Sequence, residues 1–317
     1  MSQSSRILVT GASGFLGRAV ITGSAGRGER VRAAMRRPAP FSLADGVEIV
    51  EHPDLAQAFD WRALLHGVDR VIHLAGIADA GTGIAAERYD QINRQATARL
   101  AVAAARAGVA HFVFVSSIRA QSGPAADHIL SERDAPAPTD DYGRSKLAAE
   151  NEVRASGVPF TILRPVVLYG SDGKGNFALL LRAARSRLPL PLKDFVNRRS
   201  LLGIDNFVSA LAFVLGEPVS RGETYAVADP GPALPLADII ATLRKAERRR
   251  PLLLPLPAEF VEIPLRLIGR ADLWERFGGD LVVDAGKLLA AGWRPAHDTR
   301  AGLAALVQAA ALRSASA

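Results

Sequence analysis

The chain has 317 residues, 49% of them hydrophobic and 22% charged, with a net charge of +7. This is the balance of a soluble globular protein with one large domain or two moderate ones, and no apolar run is long enough to span a bilayer. Cysteine is absent, which excludes disulfides, thiolate metal sites and a cysteine nucleophile.

The first two thirds alternate short apolar runs with longer helical patterns. "RILVT" (6–10), "RVRAAM" (30–35), "VEIV" (47–50), "RVIHLAG" (70–76), "HFVFVSS" (111–117) and "PFTILRP" (159–165) are predicted strands. Their nearly continuous Val, Ile and Phe content suits strands buried on both faces. Segments 14–25, 87–107 and 142–156 carry apolar residues at helical spacing, and "NRQATARLAVAAARAGV" (93–109) reads as a helix closed by Gly108. Such alternation implies an α/β chain with a parallel, doubly wound sheet. After Pro165 the pattern changes. Segment 170–200 is rich in Gly and basic residues, "IDNFVSALAFVL" (204–215) returns to helix, "ETYAVAD" (223–229) to strand, and 230–317 is Pro-rich and mixed.

The basic residues are dispersed, without the aromatic-interleaved stripe of a nucleic-acid surface. The densest cluster, "RKAERRR" (244–250), reads as the solvated end of a helix. No nucleic-acid partner is expected, whereas an anionic small molecule suits the charge. The six histidines (52, 66, 73, 111, 128, 297) lack ligand-type spacing, so no metal is expected. "MSQSSRILVTGASG" enters a strand almost at once, and the expectation is a cytoplasmic protein without membrane contact.

"VTGASGFLG" (9–17) places Gly11, Gly14 and Gly17 between the first strand and the first helix, with Phe15 and Leu16 among them. The first glycine permits the tight turn, the second lets backbone approach a pyrophosphate, and the third lets helix and strand pack closely. The anion then sits on the helix N-terminus, where unpaired N–H groups and the dipole favour it. This predicts a Rossmann-type dinucleotide site. "DDYGRSKLAAE" (140–150) sets Tyr142 and Lys146 on one helix face. Chance spacing on a solvated surface gives the same pair, so the rest of the chain has to decide.

The chain resembles the extended short-chain dehydrogenase/reductases, the NAD-dependent epimerase/dehydratase family acting on nucleotide sugars. The resemblance runs nearly end to end through "GASGFLG" (11–17), "DRVIHLAG" (69–76), Asn93, "HFVFVSS" (111–117), "YGRSK" (142–146), "LRPVVLYG" (163–170), "KGNF" (174–177) and "NRRSLLGIDN" (197–206). It implies that Ser117, Tyr142 and Lys146 are the catalytic unit. A phenol near pKa 10 is a poor base at neutral pH, and the nearby ammonium is expected to bring it down. Ser117 would hold the substrate hydroxyl, and Lys146 would also bond the nicotinamide ribose. The resemblance further implies cofactor contacts from Leu74, Ala75, Gly76, Asn93, Ser116 and Pro165, and from Asp54 and Leu55 beside adenine; packing at strand ends is the competing reading. His73 reads as a packed strand-end histidine. Asn176 and Arg199 would meet the substrate diphosphate, and Arg276 lies one residue from the place of a second diphosphate arginine.

From the change of pattern after Pro165, residues 1–165 with 201–229 are expected to form the dinucleotide-binding domain. Residues 166–200 with 230–317 form a smaller, discontinuous substrate-binding cap. Dehydratases of the family follow the catalytic Ser/Thr with Asp-Glu; Ile118 and Arg119 stand there instead, which disfavours dehydration. The expected reaction is 4-epimerisation or 4-keto reduction at C4 of a UDP-hexose. The alternatives are a reductase of a non-nucleotide sugar acid or small ketone, or a non-catalytic dinucleotide sensor. The second strand ends in Met35, Arg36 and Arg37 where NAD-preferring members carry an acid. Guanidinium groups can clasp a 2′-phosphate, so NADP(H) is expected over NAD(H); two solvated arginines are the competing reading. Helices 93–107 and 142–156 are Ala-rich, which suits close packing, and the resemblance implies that they pair in a homodimer.

Overall fold

A computed structural model describes residues 5–37, 46–78, 83–170, 176–257, 259–269, 274 and 278–315. Its strands are β1 (Arg6–Thr10), β2 (Arg30–Met35), β3 (Val47–Glu51), β4 (Arg70–His73), β5 (His111–Val115), β6 (Phe160–Pro165), β7 (Val167–Tyr169), β8 (Arg198–Arg199), β9 (Leu201–Gly203), β10 (Glu223–Val227) and β11 (Leu234–Pro235). The helices used below are α1 (Phe15–Gly26), α2 (Arg62–Leu65), α3 (Ala86–Tyr89), α4 (Ala96–Arg106), α5 (Asp141–Ala155), α6 (Asn176–Arg185), α7 (Ile204–Gly216), α8 (Leu236–Ala246) and α9 (Glu259–Leu267). Seven strands form one sheet in the order β10-β6-β5-β4-β1-β2-β3. Every pairing in it is parallel.

The apolar runs explain the layers. Along β1, Ile7 and Val9 pack with Val20 and Ile21 of α1 and Phe207 and Leu211 of α7. Leu8, pointing the other way, packs with Leu100 and Ala104 of α4 and Ala149 and Val153 of α5. Two helical layers therefore cover the two faces, as the continuous hydrophobicity of the strands requires. The edge strand β3, with Ile49 exposed, is the exception. The chain leaves β1 toward β3 and returns on the other side through β4. In an open parallel sheet, ligands bind outside the carboxyl ends at that switch point.

Three expectations need correction. The predicted helix over 93–109 is not one regular helix. A π-helical stretch, Asp90–Gln95, sits between α3 and α4 and carries Asn93; such stretches concentrate at functional sites. Residues 230–317, read as mixed, contain a third apolar cluster of Leu234, Ile239, Ile240 and Leu243 against Phe177 and Leu303. The basic cluster at 244–250 is not wholly solvated. Arg248, Arg249 and Arg250 are exposed, but Arg244 is 1% exposed. It donates to the carbonyls of Pro251 at 2.6 Å and Leu188 at 2.8 Å. A helix-end arginine can satisfy carbonyls of neighbouring loops, and a charge count along the sequence does not reveal that use.

Candidate active site

The glycine turn has the geometry its spacing implied. Gly11 leaves β1 with φ +70°, and a Cβ there would lie 2.8 Å from the backbone nitrogen of Ala75. A Cβ on Gly17 would lie 2.2 Å from the carbonyl oxygen of Gly11. Gly14 opens α1 with no side-chain cap and no acidic residue in the first turn. The N–H groups at the start of α1 thus lack side-chain partners, and this cradle fits a pyrophosphate.

One cleft of about 840 Å³ runs over the carboxyl ends of β1, β4, β5 and β6. Its wall brings together Gly11, Gly14, Phe15, Leu16, Gly17, Arg36, Asp54, Leu55, Leu74, Ala75, Gly76, Ser116, Ser117, Tyr142, Lys146, Pro165 and Arg199. Of the other sequence-derived positions, Arg37 is exposed beside β2 and outside that wall. Asn93 stands behind it. Its Oδ1 accepts from the Ile77 nitrogen at 2.8 Å, and its Nδ2 donates to Ser145 Oγ at 3.0 Å. Asn93 therefore ties the loop after β4 to α5. Asn176 is the first residue of α6, and Arg276 lies outside the described residues.

At the far end, Asp54 is held below the usual carboxylate range, chiefly by the backbone N–H of Ala56 and also by Arg88. The strand register sets Met35 opposite Glu51, an acid the sequence reading did not count. Glu51 is exposed and is not part of the cleft wall, whereas Arg36 is.

Ser117 follows β5 in extended conformation, and its Oγ accepts from the Arg119 nitrogen at 3.2 Å. Tyr142 sits in the first turn of α5, capped by Asp140, whose carboxylate accepts from the Gly143 nitrogen at 2.6 Å. The phenol lies beside the Ser117 side chain in the cleft wall, and Ser117 favours its ionised form. Lys146, one turn on, is 4% exposed, donates to the Val115 carbonyl at 3.1 Å, and lies 5.0 Å from the Phe114 ring centre. Burial lowers the Lys146 ammonium to about 8, against a smaller opposing effect of Glu150. The expected depression of the phenol is not found. Burial raises Tyr142 to about 12, and Ser117 and the charge of Arg119 offset only part of this. In the protein alone, desolvation outweighs the local cations.

His73 plays the packed role. Thr97 Oγ1 donates to the Asn93 carbonyl at 2.6 Å and so accepts from His73 Nε2 at 2.9 Å. Thr10 Oγ1 accepts from the Ala75 nitrogen at 3.3 Å and donates to His73 Nδ1 at 2.7 Å. These bonds fix one neutral tautomer. Burial, reinforced by Lys146, pushes the ring down to about 3. His111 is pushed down to about 4, again chiefly by burial. Both depressed values mean that the unfolded chain binds protons the folded chain refuses. Stability is therefore fully present above about pH 6.5 and is lost as pH falls toward 4, by at most about 1.4 kcal/mol per pH unit and group. The melting temperature is expected to drop between pH 7.5 and 5, and to drop less in His73→Gln. A flat profile in the wild type would contradict this assignment.

The rest of the cleft went unnoticed in the sequence. Phe177 and Leu180 of α6 and Leu236 and Ile239 of α8 line it. Their helical spacing was visible, but a helical apolar stripe is ordinarily core. Arg199 is 8% exposed and donates to the Pro124 carbonyl at 3.0 Å. Its Nε and Nη2 have no partner among the described residues. Burial and the nearby Arg119 lower this guanidinium to about 10.

A doubly wound parallel sheet, a glycine cradle and a buried Ser-Tyr-Lys group in one cleft define an enzyme of the short-chain dehydrogenase/reductase type. Residues 7–228 match the NAD dependent epimerase/dehydratase family. The chain is 30% identical to the UDP-glucose 4-epimerase of Vibrio cholerae over 314 residues, covering 96% of this chain and 94% of that protein. It is 32% identical to the ceramide reductase of Caulobacter vibrioides over 215 residues, which cover 67% of this chain and 62% of that one. The solved structure of MoeE5 in complex with UDP-glucuronic acid and NAD superposes with a TM-score of 0.77 at 25% identity, over 98% of this chain and 100% of that chain. The chain belongs to the NAD-dependent epimerase/dehydratase family. Among the described residues no helix is long and apolar enough to cross a membrane, and no group of three or more His, Asp or Glu could hold a metal ion.

Proposed function

We propose that the protein acts at C4 of a UDP-linked hexose, by 4-keto reduction or 4-epimerisation, with NADP(H) preferred over NAD(H). The observation that carries this reading is that Ser117, Tyr142 and buried Lys146 line the same cleft as the glycine cradle and Arg199. A nicotinamide dinucleotide, when bound on the Gly11–Gly17 turn, supplies the hydride carrier. Ser117 holds the C4 oxygen, and Tyr142 moves its proton. Lys146 positions the ribose and adds positive charge beside the phenol. A phenol held in its protonated form can donate a proton to a carbonyl oxygen. Arg199, with Asn176 and Arg276, receives the diphosphate, and the cap of 166–200 and 230–317 closes over the sugar. In this reading two copies pair through α4 and α5. Light scattering at micromolar concentration should give twice the chain mass, and a monomer would remove the dimer from the proposal. The main test is mass spectrometry of products from a panel of UDP-sugars and UDP-4-keto-sugars. Turnover of none of them would overturn the reading.

Arg36 supports the cofactor choice, because it lines the cleft at the end of β2. A charge-assisted contact to a 2′-phosphate contributes about 1.5–3 kcal/mol, roughly ten- to a hundredfold in affinity. Wild type should bind NADP(H) more tightly than NAD(H) by that order, and Arg36→Ala should remove most of the difference. Arg37→Ala, outside the cleft wall, should remove less. Equal or tighter binding of NAD(H) by wild type, unchanged by either substitution, would restore the epimerase over the reductase.

A second reading, reduction of a small non-nucleotide ketone, is favoured by the apolar lining from Phe177, Leu180, Leu236 and Ile239. Thermal shift with UDP separates the two, since only a nucleotide-sugar site is stabilised by that ligand.

A further inference from the structure

A surface helix of a globular protein ordinarily turns its apolar stripe toward the core. The helix α9 does the reverse. Phe260, Ile263 and Leu267 share one face at helical spacing, and they are 66%, 56% and 81% exposed. Ile268, just beyond the helix, is exposed as well. The half-buried positions are instead Glu262 and Leu265, and Glu262 is paired with Arg266 one turn on at 2.8 Å.

The edge of the cap that carries α9 is apolar too. The Leu190 nitrogen donates to the Leu252 carbonyl at 3.0 Å, and the Lys193 nitrogen to the Leu254 carbonyl at 3.1 Å. Segments 188–193 and 252–254 therefore run side by side, with Leu188, Leu252 and Leu254 exposed. Both ends of α9 are tied to this edge. Leu254 shortly precedes the helix, and Trp274, which shortly follows it, meets the Phe195 ring edge-on at 5.9 Å. A contiguous apolar surface of this kind marks a place that another body covers.

The charges around it select that body. Arg187, Lys193, Arg248 and Arg250 are exposed and have no ion pair among the described residues. The exposed acids of segments 186–198 and 248–269 are Asp194 and Glu259 alone among the described residues. A second copy in a two-fold contact would set this basic rim against itself. An anionic bilayer suits both features, since apolar side chains enter the acyl boundary while Lys and Arg meet the phosphates.

We infer that this outer edge of the cap, α9 with segments 188–193 and 252–254, docks on an anionic lipid bilayer. The contact, which the sequence reading did not anticipate, is peripheral: a helix of 9 residues is too short to cross and lies in the interface. The first turns of α6 and α8 carry Phe177, Leu180, Leu236 and Ile239 on the cleft wall. Their far ends lead into Leu188 and into 248–254. Docking thus sets the cleft near the membrane, about one α6 length away, which is roughly 15 Å at helical rise. The inference is independent of the substrate that the cleft takes.

The test is flotation of the full-length, cofactor-loaded protein with vesicles of phosphatidylcholine, alone or with about one-third phosphatidylglycerol. Binding to the anionic vesicles is expected to be at least roughly tenfold tighter, the scale of a few basic residues at a charged leaflet. It should weaken as salt rises. Phe260→Glu with Leu267→Glu should abolish binding, and Arg248→Glu with Arg250→Glu should lower it at least roughly tenfold on anionic vesicles only. Both pairs should leave NADP(H) affinity and the melting temperature unchanged, because all four side chains are exposed. If the α9 variant does not fold, the arginine variant and the lipid and salt dependence decide. No binding to anionic vesicles, or equal binding to both kinds, would overturn the inference. So would a self-association of wild type that the α9 substitutions remove in place of vesicle binding, which would assign the face to a second copy. None of these results bears on the nucleotide-sugar reading, which UDP binding tests separately.

Discussion

Tyr142→Phe is expected to lower turnover by roughly 10²–10⁴-fold, the contribution of a positioned proton-transfer group, while cofactor affinity changes no more than a few-fold. The substitution removes one oxygen and keeps the ring, which is 7% exposed and lies 6.2 Å from the Tyr89 ring centre. Ser117 keeps its contact with the Arg119 nitrogen, and Lys146 keeps its bond to the Val115 carbonyl. Folding should lose only about 1 kcal/mol, the net value of one hydrogen bond. Steady-state rates, cofactor titration by fluorescence and a thermal melt separate these effects. A Phe variant with near wild-type kcat would show that Tyr142 does not carry the proton.

Where local spacing dictates local geometry, the sequence was legible. The glycine spacing led directly to the cradle, because each glycine answers a contact within its own turn or with the adjacent strand. The strands followed from their hydrophobic runs because both faces are covered. The predicted ends of 70–76 and 111–117 extended too far: the observed strands stop at His73 and Val115. Leu74–Gly76 and Ser117 are apolar or small enough to read as strand, yet they have left the ladder to form the cleft wall, and Ser116 keeps only a last backbone bond to Leu163. What sequence could not supply was the balance of long-range terms. The phenol's pKa depends on how completely Tyr142 is enclosed, and enclosure is assembled from segments far apart in the chain. The partnerless donors of Arg119 and Arg199 likewise exist only because residues some 80 positions apart share one wall.

The substitution with the largest expected effect on stability lies behind the site, at Glu150. It stands four residues beyond Lys146 on α5 and is 0% exposed. Its Oε1 accepts from Ser116 Oγ at 2.7 Å and Arg164 Nε at 2.8 Å, and its Oε2 from Arg164 Nη2 at 2.6 Å and Arg154 Nη2 at 3.0 Å. Arg164, also buried, donates further to Gln121. Glu150→Ala removes the only acid in this set and leaves the Arg164 guanidinium without a counter-charge. Breaking one side of a buried pair costs about 3–5 kcal/mol, so the denaturation midpoint should fall sharply. Replacing both partners, as in Glu150→Met with Arg164→Met, should recover most of that loss, since no buried orphan charge then remains and Arg154 is exposed. The functional consequence follows from position. Glu150 opposes the burial that lowers Lys146 and anchors Ser116 next to Ser117, so the double variant should fold yet show a Lys146 that titrates still lower. Urea denaturation of Glu150→Met, Arg164→Met and the double, closed as a mutant cycle, measures the coupling. A loss below about 1 kcal/mol for Glu150→Ala, or strictly additive single effects, would mean that the pair is not a unit.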